Sequence, residues 1–565
     1  MAKNQLTATK SIDTLLAEMH GGERLKRVLG PLSLTALGVG AIIGTGIFVL
    51  VGKAANDLAG PSLMLSFVLA GVTCIFAAFC YAEFASMVPV AGSAYTYAYA
   101  TLGEFMAWII GWDLILEYAV ASSTVAHGWS KYFQKLLSFF DINWFKNAND
   151  KDGIVGGPLA KYSEAPFDYN ASDKAADMLL GDGSTASVAA HSFYSTLFAF
   201  DLPAVIIALL VTIILVIGIK ESALFNAVMV AIKVLVVLLV IAVGAFMITP
   251  ENWTPFAPFG FGGVKFFGFP IFGASAGMIA GAAGVIFAYL GFDAVSTQAE
   301  EAKNPGRDVP IGIIASLVVC TILYICVGAV LTGMVPFEHI DRNAPVASAI
   351  STPSKRVVLK EGETAPQGAR VAKLPDGTQT YAVPTTTNSP TTQKVLAVLI
   401  TLGALTGITS VLLVMMLGQP RIFLAMSRDG LLPPSIFAAI HPKFKTPWKS
   451  TILTGLMVAA GASLLPLNIL ADLTSIGTLF AFALVCLAVL IMRVVDPDRP
   501  RPFKTPFSPL FPTLGIILCV VLMMSLPSEN WTRLIVWLVI GLVIYFCYGY
   551  WNSHLGKKLR AETQA

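Results

Sequence analysis

A chain of 565 residues with 56% hydrophobic and only 13% charged side chains does not fit a soluble globular protein, in which about 25% of residues are charged. Its mean hydropathy of +0.73 and its runs of ~20 apolar residues point to a polytopic, all-α membrane protein. The net charge of +3 gives no sign of nucleic-acid binding; the placement of the charges is what informs.

Residues 1–30 are polar, with Arg24, Lys26 and Arg27 ahead of the first apolar run, and lack the short apolar core and cleavage site of a signal peptide. Leu15, Leu16, Met19, Leu25 and Val28 suggest an amphipathic helix on the membrane surface. The first span, 31–52, carries Gly38, Gly40, Gly44 and Gly46 at its centre. Each glycine costs roughly 1 kcal/mol of helix propensity. Backbone that leaves a helix at bilayer depth must be satisfied by protein, water or ligand. The span is therefore either a binding site built on freed amides or a small-residue packing face.

Further spans are expected near 60–88, 104–138, 201–219, 222–248, 277–299, 310–333, 394–427, 449–466, 470–494, 508–526 and 531–552, which makes twelve and puts both termini on one side. Lys220, Lys303, Arg307, Arg428, Lys443, Lys445, Lys449, Arg493, Arg499, Arg501, Lys504, Lys557, Lys558 and Arg560 gather on the terminal side, which the positive-inside rule assigns to the cytoplasm. Two long segments, 141–200 and 337–393, then fall outside. The second alternates apolar residues around Pro375-Asp376-Gly377 and reads as a β-hairpin. Sequons at Asn170, Asn252 and Asn530 are expected on the same outer side. The cysteines, including Cys74, Cys80, Cys320, Cys326, Cys486, Cys519 and Cys547, read as small buried hydrophobes.

The sixth span repeats the glycine interruption, in Gly281, Gly284 and Gly291. Spans one and six correspond if two five-helix units repeat with inverted topology, and paired interrupted spans point to a transport site. Lys233 is the lone charge in the fifth span. It lies ~11 residues past Ser222, roughly 16 Å along a helix and near mid-membrane, where snorkelling does not reach. An amine there could bind and release a transported proton, or could fix the structure by bonding broken-helix carbonyls. Glu117 lies about 20 Å into the third span on the face of Asp113. It could face a substrate side chain or neutralise a neighbouring helix. Thr409 and Ser410, mid-span in the eighth helix, could ligate an ion or accept from Lys233. Gly273-Ala274-Ser275-Ala276-Gly277 fits the G-x-S-x-G hydrolase pattern but leads into an apolar span without partners, so chance explains it. Metal, nucleotide and cofactor motifs are absent, and any transport should be driven by gradients.

Leu25 to Gly30, Gly38 to Leu50, Gly92-Ser93-Ala94-Tyr95, Gly291 to Thr297, Gly418 to Ile422 and Arg428 to Pro433 together resemble the amino acid–polyamine–organocation superfamily, and within it the bacterial members of the cationic amino acid transporter family. The resemblance implies a leucine-transporter-type fold, a 5+5 inverted repeat over 31–248 and 249–494 plus two accessory helices in 495–552. It implies that Ile43, Gly44, Thr45 and Gly46 bind a substrate carboxylate. It implies that carbonyls around Phe287, Ala288, Leu290 and Gly291 take the α-amino group. Lys233 matches a lysine that stands in for sodium, and Glu117 an acid near the side-chain pocket. The expectation is a proton-coupled importer of small neutral L-amino acids in the plasma membrane, not an enzyme. Cationic substrates, or exchange, are the runner-up, and a sensor without net flux is the alternative of another class. Its partners would be the amino acid, the proton and membrane lipids, with no nucleic acid and no cofactor; a small accessory membrane subunit is left open.

Overall fold

The computed structural model describes residues 5–11, 27, 29–88, 93–142, 144, 159, 200–218, 223–266, 269–273, 276–359, 365–366, 371–385 and 389–564. The expected surface helix around Leu15, Leu16 and Met19, most of 141–200 with Asn170, Lys220, and Ser275 of the hydrolase-like pattern lie outside the described residues.

The chain enters its first span at α1 (Pro31–Ile42), where Pro31 occupies the first turn and forgoes an amide that the helix leaves unpaired in any case. The helix stops at Ile43, whose ψ of 104° is extended. Helical backbone resumes as a π-turn over Gly46–Leu50 and runs to Ala59. Gly60 turns it into α2 (Leu63–Met87). A short α3 (Ser93–Thr101) leads into α4 (Glu104–Phe139), whose 36 residues extend roughly 54 Å, well beyond a ~30 Å hydrocarbon core. Asp201 caps α5 (Leu202–Ile217) by accepting from the Ala204 amide. After α6 (Ala223–Ala245) a two-stranded hairpin, β1 (Val264–Phe266) and β2 (Phe269–Phe272), precedes the second broken span. That span is α7 (Met278–Val285), a 3-10 turn over Ile286–Tyr289, an interruption at Leu290–Phe292 and a 3-10 segment, Asp293–Glu301.

The remaining helices are α8 (Pro305–Met334), the short α9 (Pro345–Ser351), α10 (Pro390–Arg428), α11 (Trp448–Leu464), α12 (Leu467–Val495), α13 (Leu510–Ser525), α14 (Ser528–Ile544) and a terminal α15 (His554–Gln564). Between α9 and α10, strands β3 (Ser354–Val358), β4 (Val371–Lys373) and β5 (Gln379–Pro384) form an antiparallel sheet in the order β3-β5-β4, with Gly377 (φ +92°) in the turn that joins β4 to β5.

Among the described residues eight helical stretches are long and apolar enough to cross a membrane, and α1, α5 and α13 are shorter apolar helices. The number differs from the twelve runs of the sequence for a physical reason. The first run splits at Ile43, and its second part continues through Gly60 into the next run as one stretch, Gly46–Met87, which removes one; α5, α11 and α13, with 16, 17 and 16 residues, are too short to count and remove three more.

Packing sorts the helices. One set holds α1, α2 and α8 together; another holds α4 against α10, α11 and α12, with α5 on α11. Both termini meet on one face, where Gln5 Nε2 donates to Glu104 Oε1 and to the Tyr550 carbonyl. The sheet and the β1–β2 hairpin occupy the opposite, far side. There Glu338 accepts from Arg356 Nε and Nη2 at 2.5 and 2.6 Å, and Asn252 is buried, its amide nitrogen donating to Gly333 O and Ser354 O. Asn252 and Asn530 are both fully buried, so neither offers its amide to a glycosyltransferase in the folded chain. The cysteines also need a correction: five are buried, Cys326 is half-buried and Cys547 is exposed on a helix flank.

Candidate functional site

A helix that stops inside a protein leaves its last carbonyls without partners, and these must be satisfied elsewhere. At the end of α1 two side chains do so. Lys233 of α6, fully buried, donates from Nζ to Gly40 O, and Tyr324 of α8 donates to Ile42 O at 2.9 Å. Beyond the break, Gly44 to Gly46 begin the next helical turn, the end at which N–H groups lack intrahelical partners. Thr45 Oγ1 is buried with no hydrogen-bond partner among the described residues.

The second interruption lies against the first. A Cβ on Gly46 would come within 2.3 Å of Ala288 Cα, so only a glycine allows this approach. Gly291 adopts φ +112°, and a Cβ there would sit 2.7 Å from Ala41 O. Where the two breaks meet, a small cavity is bounded by Ala41, Ile42, Gly44, Thr45, Gly46, Phe287 and Leu290, and across from them by Ala121, Val125, Val411 and Met415. Every one of these residues is buried. One wall is broken backbone; the other is apolar side chains from α4 and α10.

Of the residues read from the sequence, Gly44, Thr45, Gly46, Phe287 and Leu290 line this cavity, and Ile43, Ala288 and Gly291 shape the breaks beside it without lining it. Glu117 stands outside the lining, one helical turn from Ala121. It is buried beside Asp113, Asp293 and Thr478, and its Oε1 has no partner among the described residues. Thr409 is not a partner of Lys233: its hydroxyl donates to Leu405 O and accepts from Trp129 Nε1. Ser410 is half-buried in the same turn of α10 and outside the lining. Sequence reasoning missed Ala121, Val125, Val411 and Met415. Ala121 and Val125 follow Glu117 at i+4 and i+8 and share its face, a signal that was available.

Further contacts lie on either side of the cavity. On the far side, Tyr132 of α4 donates to Phe48 O at 2.7 Å and its ring meets Phe48 edge-on, with centroids 6.1 Å apart. On the terminal side, Tyr118 donates to Asp293 Oδ2 at 3.0 Å. Gln298, with its amide oriented to satisfy both ends, donates to Glu301 and accepts from Arg421 Nη1 at 2.8 Å. Apart from Gln298–Glu301, which lies within the second broken span, each of these contacts joins α4 or α10 to one of the two broken spans.

Comparison with known proteins agrees with this architecture. Residues 29–545 match the family described as amino acid permease. The chain is 43% identical to the branched-chain amino acid permease BcaP of Bacillus subtilis, over 98% of this chain and all of that protein. It is 40% identical to the methylthioribose transporter of the same organism over equal shares. Over 88% of this chain and 64% of the relative it is 37% identical to the vacuolar cationic amino acid transporter 2 of Arabidopsis thaliana. With a profile covering nearly its whole helical portion and relatives matched end to end, this chain belongs to the amino acid permease family of the amino acid–polyamine–organocation superfamily, a family of multi-pass membrane transporters rather than enzymes.

Proposed function

We propose that this permease imports neutral L-amino acids across the cell membrane by proton-coupled symport. The observation that carries the reading is the cavity between the two helix breaks. Its Gly44–Gly46 wall offers helix-opening amides and the free Thr45 hydroxyl to a carboxylate. Carbonyls around Phe287, Ala288 and Leu290 would receive the α-amino group. The opposite wall, Ala121, Val125, Val411 and Met415, is apolar and suits an aliphatic side chain. A guanidinium there would meet no carboxylate, since Glu117 stands outside the lining, and this favours neutral over cationic substrates.

In this proposal twelve helices form two inverted five-helix repeats, 31–248 and 249–494, with accessory helices in 495–552 and a tail from 553. The terminal face is cytoplasmic and the far side external. Lys233 carries the coupling proton: charged, it holds Gly40 O and fixes α1 to α6; neutral, it loosens that tie and lets the broken span move.

The test is uptake of labelled L-alanine and L-leucine into proteoliposomes with and without an inward proton gradient. Accumulation that collapses when the gradient is dissipated supports symport of neutral substrates. Uptake of arginine or lysine alone overturns the substrate assignment. Equilibration that ignores the gradient removes Lys233 from coupling, and binding without counterflow would make the chain a sensor.

A further inference from the structure

The β1–β2 hairpin takes no part in the transport site, yet its composition is unusual. From residue 252 to residue 292 the chain contains no acidic residue and one basic residue, Lys265. Phe261, Phe269, Ile271 and Phe272 expose 53, 76, 60 and 56% of their surface. Successive strand residues point to opposite faces, so β2 is uncovered on both: Phe269 and Ile271 on one, Phe272 on the other. Contiguous apolar surface of this kind marks an interaction site.

The surroundings say what covers it. β1 packs on α13, an apolar helix whose own outward residues Ile517 and Val520 are exposed. The hairpin thus continues a lipid-facing surface at its far-side end. Phenylalanine and isoleucine lack the polar tip of the Trp and Tyr that mark the headgroup boundary, and so suit the acyl chains just beneath it. Half-buried Lys265 has the long apolar stem that lets an ammonium reach headgroup depth. The base of the hairpin is built rigidly: Gly263 N donates to Phe272 O, Met278 N to Gly260 O and Ile279 N to Gly262 O, so loop carbonyls pair the first amides of α7. Gly277 N donates to Leu58 O, which joins the same base to the far end of the first broken span.

We propose that this hairpin is inserted into the far-side lipid leaflet, with Phe261, Phe269, Ile271 and Phe272 among the upper acyl chains, and that it anchors the far ends of both broken spans to the bilayer. The partner is lipid, not a second copy of this chain or another protein. The proposal rests on the membrane character of the chain and is independent of which substrate it carries.

The test uses the full chain with exposed Cys547 replaced by serine, bearing Phe269→Cys or, as a control in the far-side sheet, Asp376→Cys. Each is labelled with nitrobenzoxadiazole and reconstituted in phosphatidylcholine vesicles. Position 269 should emit at shorter wavelength than position 376, lose intensity in brominated phosphatidylcholine and resist iodide; position 376 should do the reverse. Iodide quenching at 269 equal to that at 376 would place the hairpin in water and overturn the proposal. Protection of 269 from both quenchers would also overturn it, because protein would then cover the hairpin. Phe269 makes no core contact, so Phe269→Cys should leave the melting temperature in detergent unchanged; Ile271→Cys provides a second reporter on the same face.

Discussion

Lys233 and Gly291 show how single residues hold an interrupted helix. Replacing Lys233 by methionine keeps the side-chain volume but leaves Gly40 O without its donor. A buried acceptor left unpaired costs about 1–3 kcal/mol. The expected outcome is loss of gradient-driven accumulation with slow equilibration retained, measured by uptake with and without a proton gradient. Gly291→Ala meets two obstacles, a φ of +112° and the Ala41 carbonyl 2.7 Å from the new Cβ. Strain of about 1–3 kcal/mol should lower the melting temperature and abolish substrate-induced thermal stabilisation. Both positions could be singled out in the sequence, since a lone lysine at mid-span and glycines inside an apolar run each carry an evident cost there. Met415 and Val411 could not be read. An apolar residue on an apolar helix looks the same whether it faces lipid, core or cavity.

At the scale of elements, α4 carries the site: Ala121 and Val125 line the cavity, Tyr118 reaches Asp293 below it and Tyr132 reaches Phe48 O above it. Tyr132→Phe removes one neutral hydrogen bond, worth about 0.5–1.5 kcal/mol, or roughly a 2- to 10-fold shift in a two-state equilibrium. That shift should favour a form open on the far side. A cysteine at Ala347, buried in α9, should react faster with a membrane-impermeant thiol reagent in Tyr132→Phe than in an otherwise unchanged chain; equal rates would remove Tyr132 from the closure. The β1–β2 hairpin escaped sequence reading because Val264 to Phe272 contains Gly268 and Pro270 and shows no clear alternation. Its apolar character merges with the span that follows.

For the whole molecule, packing separates α1, α2 and α8 from α4, α10, α11 and α12, with the cavity between the broken spans and the second set. The paired glycine interruptions pointed to the two broken spans in the sequence but not to this division, since which helices group together depends on long-range packing that no local pattern encodes. The terminal face is tied by Glu104, which accepts from Gln5, Tyr99, Tyr545 and Ser553. Glu104→Gln turns two acceptor oxygens into one acceptor and an amide donor, facing groups that all donate. A loss of about 1–3 kcal/mol should appear as a lower melting temperature and faster proteolysis within residues 5–11.

The convergence on Glu104 also bears on the order of docking. Gln5 is held by Tyr550 and Arg560, so residues 5–11 find their place only on a chain in which the helical segment 545–564 has already folded. Loss or unfolding of that segment would therefore leave residues 5–11 undocked and open to proteases, so the two distant stretches stand or fall together.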